Sequence, residues 1–124
     1  MNKIVIKIGD LVLPAQLNDT PTAQKIAKAL PIRARFNTWG DEIYFPIPVQ
    51  AELDESAREE VEMGDLGYWP EGSAFCIFFG PTPMSSGDRI VPASAVNIVG
   101  KVLGDAVRLK EVMDEEEITL EEAP

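Results

Sequence analysis

The chain has 124 residues, 45% of them apolar, with one cysteine, no histidine and a net charge of −10. That length suits one domain, 1–124, with a real core, and no stretch approaches the roughly 18–20 unbroken apolar residues of a membrane-spanning helix. A lone cysteine excludes an internal disulfide framework, and the lack of histidine excludes a Ser-His-Asp triad, a thiol–His pair and any His-containing metal site.

Seven of the acids (Glu111, Asp114, Glu115, Glu116, Glu117, Glu121, Glu122) lie in 111–124 with no base among them, which leaves about −3 for the rest. Such a surface repels phosphate backbones and anionic membranes. Lys25, Lys28, Arg33 and Arg35 form a small basic neighbourhood, but no aromatic series interleaves them as a nucleic-acid-binding stripe would require. Neither nucleic acid nor membrane is expected as a partner, and neither metal nor cofactor as a ligand. Met1-Asn2-Lys3 leads directly into a strand with no apolar leader segment, so the expected location is cytoplasmic.

Lys3–Ile8 alternates polar and apolar residues at period two, Gly9-Asp10 is a hairpin turn signal, and Leu11–Leu17 returns with Leu11, Leu13, Ala15 and Leu17 on one face. Pro14 removes a ladder donor there and predicts an edge or a bulge. Thr20 and Pro21 open a helix whose stripe is Ala23, Ile26, Ala27 and Leu30, and Pro31 ends it. Ile32–Trp39 and Glu42–Ile47 read as a strand pair about Gly40-Asp41, followed by an acidic surface loop over 52–60. The densest apolar passage comes next: a short strand through Gly64–Trp69, turn chemistry at Pro70-Glu71-Gly72, and a buried run from Ser73 to Phe79. Residues 80–95 hold prolines and glycines without a period, a loop long enough to suggest function or disorder. Val96–Val102 is another strand, Asp105–Val112 a short helix, and Ile118–Leu120 a last strand before an acidic end, 111–124, expected to fray in part. Many short strands and few helices indicate a barrel or sandwich.

Two passages resemble cyclophilins. Gly72-Ser73-Ala74-Phe75-Cys76-Ile77 is similar to their Gly-Ser-Gln-Phe-Phe-Ile strand, and Val96-Asn97-Ile98-Val99-Gly100-Lys101-Val102 to their His-Val-Val-Phe-Gly-Lys-Val. The chain as a whole more closely resembles small prokaryotic cyclophilin-like proteins, through Asn37–Phe45, Gly64–Pro70 and Pro92–Asn97. The resemblance implies a mainly β fold: a closed eight-stranded antiparallel barrel with one or two capping helices. Cyclophilins are peptidyl-prolyl isomerases, yet Ala74, Cys76 and Val96 stand here at their glutamine, second phenylalanine and histidine positions. Arg35 is the nearest guanidinium available if the chain is an isomerase.

Strand parity predicts the site. Phe75, Ile77 and Phe79 should fill the barrel, leaving Ala74, Cys76 and Phe78 facing outward. With Asn37, Trp39, Tyr44, Tyr68 and Trp69 these would form an aromatic groove roofed by 80–95, suited to a peptide or small ligand. Alternatively those rings only cover the barrel, or serve as a homo-oligomer interface. Cys76 reads as an inert buried thiol for want of a base. Asn97, polar within an apolar strand, either satisfies a loop backbone or addresses a ligand. Asp41-Glu42 and Glu59-Glu60 point apart as strand neighbours and read as solvated surface. The expected function is a cyclophilin-like binding module; a weak isomerase and a structural subunit are the alternatives.

Overall fold

The computed structural model describes residues 2–124, and its strands join in one antiparallel sheet. β1 (Asn2–Ile8) and β2 (Leu11–Leu17) pair in register from Asn2↔Leu17 to Ile8↔Leu11. Alternation buries Ile4, Ile6 and Ile8 against Ala15, Leu13 and Leu11, the inner faces of both strands. Pro14 falls where the ladder from β2 to β9 (Val96–Val102) runs out: pairing covers Ala15–Leu17, and beyond it the Pro14 carbonyl accepts one bond from the Leu103 amide. The missing N–H therefore sits where no partner is needed.

Helix α1 (Pro21–Ala29) starts at Thr20, whose side-chain oxygen accepts from the Ala23 amide at 3.3 Å. Ala23 and Ile26 are buried, and Ala27 and Leu30 pack at the edge of the core. Replacing Thr20 by alanine removes that cap, and a loss of about 1 kcal/mol of unfolding free energy in urea denaturation is expected.

Ring closure depends on one bent segment. β3 (Ile32–Arg35) pairs with β10 (Glu117–Glu122), whereas β4 (Asn37–Thr38), one residue further on, pairs with β5 (Glu42–Pro46). With β7 (Asp65–Trp69) and β8 (Ala74–Phe78) in place, the order β3-β10-β1-β2-β9-β7-β8-β5-β4 begins and ends on the same stretch of chain. Counted with β3–β4 as a single bent strand, the ring has eight strands, and β6 (Ala57–Arg58) adds a short extra one to β9. This is the expected barrel, with α1 and a 3-10 helix at Ala106–Val112 against it. The interior is filled by alternate residues of the ring strands, including Phe45, Leu66, Tyr68, Phe75, Ile77, Val99 and Leu120.

Two local features adjust the ring. A register shift between Leu66 and Gly67 places a bulge on β9, so Val99 and Val102 can both face inward. At Gly100 β9 approaches β2 so closely that a Cβ would lie 2.1 Å from the Gln16 carbonyl oxygen, a space only glycine can occupy.

The expected last strand at Ile118–Leu120 is present and longer than expected: Glu117–Glu122 form β10 between β1 and β3, with Ile118 and Leu120 buried. Arg33–Glu117 (2.8 Å), Arg35–Glu116 (2.6 Å) and Lys7–Glu121 (2.9 Å) flank it. These exposed pairs contribute little; the ladder and the two buried side chains hold the strand. Among the described residues no helix is long and apolar enough to cross a membrane.

Candidate functional site: a ring-walled cleft outside the barrel

Cross-strand register defines one patch on the outer face of the wall. Asn37 stands opposite Tyr44, and the next pair outward brings Trp39 opposite Glu42, with the Trp39 amide donating to the Glu42 carbonyl at 2.9 Å. Across the following ladder Tyr44 pairs with Cys76 and Glu42 with Phe78. Beyond that Gly67 pairs with Cys76 and Trp69 with Ala74, while β9 adds Val96 and Ile98. The even-numbered residues of β5 and β8 thus share a face with Trp39 and Trp69, as the period-two rule requires.

Part of this face is sealed and part is open. Val61 and Ile90 bridge to each other and, with Cys76, Phe78 and Val96, make a second small core outside the barrel. Next to it lies a cleft of about 190 Å³ lined by Trp39, Glu42, Tyr44, Trp69, Cys76, Pro92, Ala93 and Val96. Its roof comes from the 80–95 loop, which carries no period but is tightly stitched. Thr82 Oγ1 bonds the Val91 carbonyl, while Ser85 Oγ accepts from the Thr82 amide (2.9 Å) and the Val91 amide (3.1 Å). Trp69 Nε1 donates to Ser94 Oγ at 2.6 Å, and that hydroxyl in turn donates to Glu71, so the ring and the roof are tied together. Gly72 leaves room for the indole: a Cβ there would lie 2.9 Å from the Trp69 ring.

Electrostatically the cleft has one pole. Glu42 is only 6% exposed, and its Oε1 has no hydrogen-bond partner. Burial raises its pKa to about 7, an effect that hydrogen bonding from the Cys76 thiol partly opposes. Burial and, after it, the Glu42 charge push the Cys76 thiol well above its usual value, so it stays protonated and weakly nucleophilic. Among the described residues no lysine or arginine lines the cleft.

Of the residues expected at the groove, Trp39, Tyr44, Trp69 and Cys76 line the cleft. Asn37 shares their face, across from Tyr44, but is exposed beside the cleft and does not line it. Three others lie elsewhere, Tyr68 and Asn97 by register and Phe78 because it is covered. Tyr68, adjacent in sequence to Trp69, necessarily points the other way: it is buried in the barrel, its hydroxyl donating to the Val49 carbonyl (2.7 Å) and accepting from the Ala51 amide (3.2 Å). Phe78 has the predicted outward parity, yet it is fully buried beneath Val61, Ile90 and Val96. Asn97 is buried with its opposite parity to Val96: Oδ1 accepts from the Asp54 amide (2.9 Å), and Nδ2 donates to the Glu52 carbonyl (2.9 Å) and Thr22 Oγ1 (3.2 Å). It anchors a loop. Arg35 lies outside the cleft, its side chain 77% exposed and engaged by Glu116. Glu42 corrects the expectation of a solvated carboxylate pair at Asp41-Glu42. The available signal was its parity, which it shares with Tyr44.

Comparisons place the chain among known folds. Its similarity extends over nearly the whole length of a hypothetical protein, AF2241, from Archaeoglobus fulgidus, known from a solution structure. Identity is 41%, covering 98% of this chain and 95% of that one, with a TM-score of 0.81. McbB, solved in complex with tryptophan, matches at 15% identity and a TM-score of 0.71 over 96% of this chain and 44% of its own, a likeness of fold. No curated protein matches. A model of the cyclophilin-like family matches residues 2–121, and the chain belongs to that family.

Proposed function

We propose that this protein is a binding module whose outer cleft takes a small molecule or a single side chain of a peptide. The observation that carries the reading is Glu42: it is the acid among the rings and apolar groups that line the cleft, and its Oε1 is buried without a hydrogen-bond partner. Buried polar atoms without partners are rare, and one facing a cleft is satisfied when a ligand supplies the donor. Size supports the same reading. An apolar cavity of roughly 150 Å³ accommodates benzene, so about 190 Å³ suits one ring-sized group. A protein of the same fold, McbB, forms a complex with tryptophan, which supports a small molecule as occupant.

Both tryptophans of the chain line the cleft, so intrinsic fluorescence reports on it directly. Titration with a ring-sized set (benzyl alcohol, indole, benzylamine) is expected to give a saturable change for at least one member. Trp69→Ala should weaken that binding at least tenfold by NMR titration while the circular dichroism spectrum is kept. Absence of saturable change across the set, or full affinity in the variant, would overturn the reading. If Trp69→Ala unfolds, Trp39→Ala decides by the same criterion.

A further inference from the structure

Resting on that reading, we infer that the cleft selects an organic cation: an ammonium group on a ring-sized apolar body, with Glu42 as its counter-ion and Trp39, Tyr44 and Trp69 as its walls. Three observations converge. Among the described residues Glu42 is the one acid lining the cleft, no basic residue lines it, and the Glu42 Oε1 has no hydrogen-bond partner. Three aromatic side chains, Trp39, Tyr44 and Trp69, line it, and the quadrupole of such rings attracts cations most strongly where water is excluded. The net charge of −10 favours the approach of positive ligands over negative ones.

Among the described residues that line the cleft, Glu42 is the only carboxylate or cation. β8 contributes the Cys76 thiol, held protonated, and β5 itself contributes Tyr44. Trp39, Trp69, Val96 and the roof residues Pro92 and Ala93 carry no ionisable group. Asp41, the adjacent residue, is turned toward Lys110, 3.6 Å away. Because the Glu42 carboxyl titrates near pH 7, an arriving ammonium favours the carboxylate, and the displaced proton passes to solvent.

Affinity for an ammonium should therefore rise about fivefold between pH 6 and pH 7 and about tenfold by pH 8, levelling off above that, with close to one proton released per ligand bound at pH 6. The test compares benzylammonium with benzyl alcohol, and Nα-acetyl-lysine methylamide with its norleucine counterpart. Fluorescence and calorimetry are run at pH 6 and pH 8, the latter in buffers of differing ionisation enthalpy. The first pair represents a free amine and the second a lysine side chain within a peptide. At least one ammonium should bind ten or more times tighter than its neutral counterpart at pH 8, and in Glu42→Gln the ratio of the two affinities should fall to near one. Equal affinity for charged and neutral members, or a preference that survives in Glu42→Gln, would overturn cation selection and leave the binding reading standing. If no member of either pair binds, both fall. Proton release on the wild-type protein is the independent check should Glu42→Gln fold poorly, and its absence at pH 6 counts against the inference.

Discussion

Glu42→Gln is expected to remove a pH-dependent penalty from folding. The wild-type carboxyl titrates near 7 when folded, against an ordinary 4.5. Between those values the folded state holds a proton that the unfolded state has released. Stability therefore falls as pH rises from about 4.5 through 7, and is flat above. A shift of this size corresponds to about 3 kcal/mol, so the free-energy difference between the glutamine variant and wild type should grow by about 3 kcal/mol from pH 4 to pH 8. Urea denaturation at both pH values measures it. A difference that stays constant would mean that Glu42 is solvated, and the cleft would lose its polar anchor. The same residue thus reduces stability and confers binding chemistry, a trade common at functional sites.

Asn97→Ala is expected to cost about 3 kcal/mol at any pH between 5 and 8. From a fully buried position the side chain satisfies the Asp54 amide and the Glu52 carbonyl, both part-buried bonds, and reaches Thr22 on α1. Leaving buried backbone groups without partners costs roughly 1–3 kcal/mol each. For a chain of this size the melting temperature should drop by roughly 10 °C. Hydrogen exchange should localise the damage, with the Asp54 amide losing protection before the β7–β8 ladder does. Cleft binding by the ring-sized set should survive, because Asn97 lies on the opposite face of β9 from Val96. Loss of binding without loss of stability would instead assign Asn97 to the site.

The two variants share a lesson about reading strands. Parity along β8 was legible: Phe75, Ile77 and Phe79 fill the barrel, and Cys76 and Phe78 face outward. Applied to β7 and β5, the same rule separates Tyr68 from Trp69 and puts Glu42 beside Tyr44. What parity does not reveal is how much of the outer face becomes covered. Cys76 lines the cleft and Phe78 does not, because Val61 and Ile90 meet over the latter through a bridge between segments 29 residues apart in the chain.

From the residues alone came the N-terminal hairpin, the capped helix, the inward set of β8 and the family resemblance that implied an eight-stranded barrel. Each is encoded locally, in a period, a turn or a short motif. Ring closure through the bent 32–38 segment, the bulge at Val99, the pairing of the acidic end as β10 and the burial of Glu42 were decided only by the folded chain. They depend on which distant segments come to lie side by side. A carboxylate at a given parity is surface or site according to whether a loop some 50 residues further on, at Pro92 and Ala93, closes over it.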